Sequence, residues 1–351
     1  MVASLTKSKV FVERVVGDDW SAVITEALRF LDFESAVRQA KFFFIKPNLT
    51  WKTHLPGVTT RPELIADVVG ALNEYGRPIL IGESDGGYHS HTADQAFEGH
   101  GLLDLADRFG VKLVNLSRTT PVTKRLEIAG KTVEIVLPEF LLQDDCFFVT
   151  LPVPKIHVMT RVSLAMKNQW GCIPDVMRLR NHPEFSHKIT AINLLLNPRC
   201  VIMDGKYFLN LSGPLGGDPV QKDLIIASNQ VGAASYVACA IMRVPPFKAP
   251  HHRVAAEAGL FPADLSEVEL NQSIEQFADL RFTLQRSLVN WVARSAFSNH
   301  LATKWLYESN TAERLRRFVK VLNRNRLLSR LLYRRWQPIR PTESDTRIDS
   351  S

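Results

Sequence analysis

Lys41-Phe-Phe-Phe-Ile-Lys46-Pro-Asn48 decides how the chain is read. Three phenylalanines and an isoleucine follow one another without a polar break, as in a strand covered on both faces. Pro47 keeps Lys46 out of the helical region, so the lysine and Asn48 stand at a strand terminus. Short apolar runs of the same kind recur on either side. They are KVFVERVV (9–16), PILIGES (78–84), VKLVNL (111–116), DDCFFVTLP (144–152), RCVIMDG (199–205) and DLIIAS (223–228). KTVEIVLP (131–138) alternates instead and suits an antiparallel hairpin with the preceding RLEIAG.

Helical spacing lies between these runs. Thr60-Arg61-Pro62-Glu63 opens one helix, with Thr60 as its cap, and Leu64, Ile65, Val68, Val69 and Leu72 form its apolar stripe. A second helix is expected from near Thr160, carrying Val162, Leu164, Ala165 and Met166, and a third from His187 to Leu196. The alternation predicts an α/β fold, a layered and mostly parallel sheet with flanking helices, followed by a C-terminal helical extension. We divide the chain into an α/β domain (1–260), a basic helical region (261–337) and a disordered tail (338–351), because the texture changes after Pro245-Pro246 and helical stripes fill 266–335.

Composition narrows the function. The 351 residues are 45% hydrophobic and 23% charged, which fits a globular protein of one large or two modest domains. No apolar run reaches the roughly 18 residues of a membrane span, and charges interrupt the N-terminal stretch where a signal peptide would be apolar. The expectation is a cytoplasmic protein. Cys146, Cys172, Cys200 and Cys239 contain no CxxC pair, so neither a disulfide framework nor an iron–sulfur motif is visible. The net charge of +7 is uneven: 14 Lys and Arg against two acids between Arg281 and Arg340 give that segment +12 and leave the rest at −5. Such a segment suits an anionic membrane surface through 281–335, or packing on the body or on a second copy; no nucleic-acid motif accompanies it.

In an open α/β sheet, ligands sit beyond the carboxyl ends of the strands, and the chemistry-bearing residues cluster there. Lys46 and Asn48 can hold phosphate or carboxylate, or be a surface lysine beside a turn-forming Asn. Gly82-Glu83-Ser-Asp85-Gly86-Gly87 offers two acids for a base or a divalent ion, and glycines that let a ligand approach. A plain turn before a helix capped by Thr92 reads the same residues equally well. Leu151-Pro-Val-Pro-Lys155-Ile-His157 places Lys155 and His157 on one face of an extended segment, and Lys167-Asn168 follows. Lys155, once desolvated, suits a base, His157 a proton donor or acceptor, and Lys167 an anion contact or a helix-end cation. Asp204 ends another strand as ligand contact or turn residue, and 213–219 reads as a lid or as a hairpin loop. The histidines form no metal motif.

Together IKPNLT (45–50), VTTRPELIADVVGAL (58–72), ILIGESDGG (79–87), LPVPKIHVMTRVSLAMKNQWGCIP (151–174), INLLLNPRCVIMDG (192–205) and GPLGGDPV (213–220) resemble the domain-of-unknown-function family 362, often described as iron–sulfur-associated. This chain departs from it in lacking the clustered cysteines of many relatives and in reading Ser228-Asn-Gln-Val-Gly-Ala-Ala-Ser235 where relatives carry acids. Thr60-Arg61-Pro62 and the following ILIGESDGGYH are also similar to the N-terminal domain of lactate racemase-like proteins. That resemblance implies Arg61 on a substrate carboxylate and proton transfer by Lys155 or His157. The resulting expectation is an enzyme for a small anionic metabolite. Lys155, His157, Glu83 and Asp85 are its chemical groups; Lys46, Asn48, Arg61, Lys167, Asn168, Gly86 and Gly87 its binding groups; Asp204 with Glu83 and Asp85 its ligands for a divalent ion. A cofactor-holding redox accessory and a racemase-like isomerase are the rival readings; the cofactor and the oligomeric state stay open.

Overall fold

The computed structural model describes residues 8–286, and in it the apolar runs become strands of one sheet. The elements follow as β1 (Ser8–Arg14), α1 (Trp20–Phe30), α2 (Phe33–Ala36), β2 (Phe42–Pro47), α3 (Pro62–Asn73), β3 (Ile79–Glu83), α4 (Ala93–Gly99), α5 (Leu102–Phe109), β4 (Lys112–Asn115), β5 (Pro121–Ile128), β6 (Lys131–Pro138), β7 (Cys146–Leu151), β8 (Lys155–His157), β9 (Arg161–Ser163), α6 (Ala165–Asn168), α7 (Phe185–Leu196), β10 (Cys200–Asn210), β11 (Asp218–Ser228), α8 (Val231–Ile241), α9 (Pro250–Glu257) and β12 (Val268–Leu270).

Strand order is β12-β1-β11-β10-β7-β2-β3-β4. All neighbours run parallel except β11, which is antiparallel to both β1 and β10. The carboxyl ends of β2, β3, β7 and β10 therefore point the same way. Register brings them level: Ile45 pairs with Val149 and Ile81, and Lys46 with Thr150. Alternate side chains feed two cores. Phe11, Phe43 and Ile45 pack under α1, α3, α4 and α5, while Val10, Val12, Phe44 and Phe148 pack under α6–α9 and the β5–β6 hairpin. Both faces are thus buried, as the uninterrupted Phe42–Ile45 run requires. The β5–β6 hairpin forms as its alternation predicts.

Three local expectations give way. Thr60 does not cap α3: its hydroxyl donates to the Leu151 carbonyl at 2.7 Å, and Arg61 takes the cap position without a side-chain bond. The helix expected from Thr160 starts only at Ala165, because Lys155–His157 and Arg161–Ser163 pair first as an antiparallel hairpin. The helical reading of 266–335 fails over 266–286, where Val268–Leu270 instead joins the sheet beside β1 and Phe277 and Phe282 enter the core; its remainder lies outside the described residues. The loop at 213–219 joins the β10–β11 hairpin, with Asn210 opposite Asp218.

Candidate functional site

The carboxyl ends of β2, β3 and β7 meet around a buried ion pair. Lys46, 1% exposed, donates from Nζ to Glu83 Oε2 at 2.6 Å and to the Pro47 carbonyl at 2.7 Å. Glu83 Oε2 also accepts the Leu49 amide at 3.0 Å, and Oε1 the Ser84 amide at 3.1 Å. Such a carboxylate is matched in charge and in hydrogen bonds, the condition under which a buried pair holds. Gly171 lies against it: a Cβ there would collide with Glu83 Oε1 and sit 3.0 Å from Lys46 Nζ. Asn168, from α6, donates to the Lys46 carbonyl and to Thr150 Oγ1, both at 2.9 Å, and ties the two strand ends together.

Lys155 opens β8 and is 1% exposed. Its Nζ donates to the Val58 carbonyl at 2.6 Å. An ammonium has three N–H groups, and among the described residues Val58 is its only hydrogen-bond acceptor. Burial pushes its pKa down to about 7, against the pull of Glu83. Lys167, partly buried on α6, donates to Thr160 Oγ1 at 3.1 Å and lies 5.6 Å from the Phe185 ring. Burial, and then the charge of Lys155, hold it well below the ordinary lysine value. His157 shares the face of β8 with Lys155. Its Nδ1 accepts the Met159 and Thr160 amides at 3.1 and 3.3 Å, so a neutral ring carries its proton on Nε2.

Arg61 and Asp204 form a second buried pair on the α1–α3 side; Asp204 lies inside β10, which runs on to Asn210, and not at a strand end as expected. Asp204 accepts the Arg61 amide at 2.7 Å, its Nε at 2.9 Å and the Lys206 amide at 3.4 Å. The Arg61 guanidinium stacks 4.0 Å from the Trp20 ring, and its Nη2 is buried without a partner. The carboxylate that Arg61 holds is thus the protein's own. His54 lies near this pair, and burial lowers its pKa.

Asp85 works as a local brace. Its Oδ1 accepts the Ala93 amide at 2.8 Å, at the start of α4, and Asn115 Nδ2 at 2.9 Å; Thr92 caps α4 with Gln95 in a reciprocal box. Arg178, buried, donates to the Asp85 carbonyl at 2.9 Å. Gly86 packs against Ser90 and His91, leaving Gly87 and the half-buried Asn48 at the rim. The structure therefore gathers Lys46, Glu83, Lys155, Lys167 and Asn168, and sets Arg61 with Asp204, and Asp85, apart. Glu83, Asp85 and Asp204 each have other partners, and among the described residues no group of three or more His, Cys, Asp and Glu is placed to hold a metal ion. Burial pushes the thiols of Cys146, Cys172 and Cys200 up to about 12.

Sequence reading missed Thr150, Gly171, Trp20, Val58 and Arg178. Only Gly171, following Lys167-Asn168, had a local signal; the others matter through contacts far along the chain. The apolar groove of Phe42, Leu80, Val114 and Phe140 opens at the opposite, amino end of the strands and includes none of these polar groups.

Among curated proteins the chain is similar to a thylakoid-associated protein of Synechocystis, 26% identical over 227 residues, covering 62% of this chain and 68% of the relative. No solved structure matches it. No helix among the described residues is long and apolar enough to cross a membrane. The profile of DUF362, a domain of unknown function, matches residues 44–240, more than half of the chain and including Lys46, Glu83, Lys155, Lys167 and Asp204, and the chain belongs to that family.

Proposed function

We propose that the protein is an enzyme that binds a small anionic metabolite at the carboxyl rim and moves a proton there, with Lys155 as the base. One observation carries this reading: a buried amine with a single neutral acceptor stands at the strand ends beside the Lys46–Glu83 pair. A lysine takes a proton from carbon only when its amine is free of one, and removal from water supplies that state. Lys167 supplies charge to the substrate, His157 is the second proton-carrying group on the same face of β8, and Asn48 and Gly87 line the approach. Lys46, Glu83 and Asn168 hold the rim in place. The test is proton exchange in D2O with panels of 2-hydroxy acids, 2-amino acids and phosphorylated metabolites, read by mass spectrometry. At least one compound gains deuterium with the parent chain and none with Lys155→Met, whose circular dichroism is unchanged. A folded parent chain that labels nothing ends the reading.

Residues 281–335 carry a second proposal, peripheral attachment to an anionic membrane. The +12 charge of 281–340 and the thylakoid association in the relative's name support it. Vesicles containing anionic lipid would sediment the full chain at low salt and release it at high salt; no sedimentation at low salt ends the idea.

A further inference from the structure

We infer that Arg161 is a further binding residue of the rim: its guanidinium takes the carboxylate or phosphate group of the substrate beside His157, and the chain holds it there against backbone strain. This rests on the reading of the rim as an anion site and names a residue that reading leaves out.

Strand register places Arg161. In the β8–β9 hairpin it pairs directly with His157, as Ser163 does with Lys155. Direct partners in an antiparallel pair share a face, with Cβ atoms about 5 Å apart. Arg161 therefore stands on the face of β8 that carries Lys155 and His157. The turn between the strands brings in Lys167 as well. Thr160 gives its amide to His157 Nδ1 at 3.3 Å, and its hydroxyl accepts Lys167 Nζ at 3.1 Å. Lys167, His157 and Arg161 are thus gathered by the one turn of residues 157–161.

Two features of Arg161 serve no contact within the chain. Its backbone is left-handed, with φ at +75°. Hairpin turns usually give that conformation to glycine, because a Cβ there crowds the following carbonyl. Its Nε is buried without a partner, and no acid among the described residues pairs with it. Neighbouring cations do find acceptors: Lys46 has Glu83, Arg61 has Asp204, and Arg178 has the Asp85 carbonyl. Arginine also keeps its charge at any ordinary pH, so it cannot escape burial by shedding a proton as a lysine can. A half-buried guanidinium in this state is satisfied by an anion from outside. Strain retained at such a position, where glycine would suit the turn better, has its explanation in that ligand.

The guanidinium fork presents two parallel N–H groups, the geometry that a carboxylate or a phosphate accepts. Because its charge does not titrate, Arg161 holds the anionic end of the substrate while Lys155 stays unprotonated and acts as the base.

The experiment is isothermal titration calorimetry of the full chain with inorganic phosphate and with malonate, beside urea denaturation. The parent binds at least one probe; phosphate alone points to a phosphorylated metabolite, malonate alone to an organic acid. Arg161→Gln keeps the stem, removes the charge and weakens binding at least about tenfold. Arg125→Gln removes the same charge from exposed β5 and leaves binding unchanged. Arg161→Gly loses as much affinity as Arg161→Gln, yet its urea midpoint stands at or above the parent's, since glycine relieves the left-handed backbone. Equal affinity in the parent and Arg161→Gln, an equal loss in Arg125→Gln, a midpoint for Arg161→Gly well below the parent's, or no binding of either probe by folded parent chain overturns the inference. Deuterium exchange that persists undiminished in Arg161→Gln would end this inference and keep the enzyme reading. Anion binding lost in Arg161→Gln, with a parent chain that labels nothing, would do the opposite.

Discussion

The two halves of the carboxyl rim differ in how charge is matched. On the α1–α3 side, Asp204 takes three N–H groups and Arg61 stacks on Trp20, so one buried acid meets one buried base. On the α6–α9 side, amines outnumber carboxylates, and Lys155 has a carbonyl where Arg61 has an acid. Matched buried charges fix geometry, whereas unmatched ones are kept at a cost to stability and are the groups free to meet a ligand. Arg61, whose Thr-Arg-Pro setting resembles a substrate-binding motif, thus pairs with the protein's own Asp204 and keeps Nη2 without a partner.

The sharpest break is Asp204→Ala. It leaves a buried guanidinium without its acid and is expected to cost about 3–5 kcal/mol in urea denaturation. A loss under about 1 kcal/mol would show that the Arg61 pair behaves like an exposed one, and the comparison would lose its matched half. Gly171→Ala acts between the halves. Its Cβ displaces the Glu83 carboxylate from Lys46, with an expected cost of about 1–3 kcal/mol. A drop in anion affinity should accompany it, since Lys155 then faces a shifted neighbour.

Lys155→Met changes stability in the other direction. The folded pKa of about 7 lies below the unfolded value of 10.5. Between these values the unfolded chain holds the proton and the folded chain does not, so this lysine destabilises the fold at pH 7 and progressively less towards pH 10.5. Replacing it with an apolar chain of similar length should stabilise the protein by about 1–2 kcal/mol at pH 7, with the gain shrinking by pH 10. A variant less stable than the parent at pH 7 would place Lys155 among the matched charges.

The fold was legible because buried strands must be apolar on both sides. Phe42–Ile45 and Phe147–Val149 have no other economical use, and the 3.6-residue stripe from Leu64 to Leu72 is buried as spaced. What failed was decided by distant partners. Thr60 has the chemistry of a cap, yet the Leu151 carbonyl, 91 positions away, claims its hydroxyl. Arg161 and Val162 carry no signal that they pair with β8 before α6 begins. Of the site, Lys46 and Glu83 could be named from strand ends and Lys155 and Lys167 from the polar run after β7, but not the pairing of Arg61 with Asp204, because ion pairing between distant segments leaves no periodic trace.

The smallest effect concerns the shell behind Lys167. His251 and His252 are buried side by side on α9, and both Nε2 atoms are buried without partners. The His252 ring stacks on Phe261 at 4.3 Å and its Nδ1 donates to the Pro246 carbonyl at 2.9 Å. Burial takes its pKa from 6.5 down to about 4, opposed by that backbone bond. The unfolded chain therefore binds a proton between pH 6.5 and about 4 that the folded chain does not, and the stability His252 contributes is complete above 6.5 and lost as pH falls through that window. His252→Phe keeps the stacking and removes the titration. At pH 8 it should cost about 1 kcal/mol for the Pro246 bond; at pH 5 the loss of the proton penalty should offset that cost and bring variant and parent together. The amine-rich half would then be the acid-sensitive half, as expected where buried bases lack acids. Parallel stability curves for the two proteins from pH 8 to pH 5 would mean that the acid sensitivity lies elsewhere.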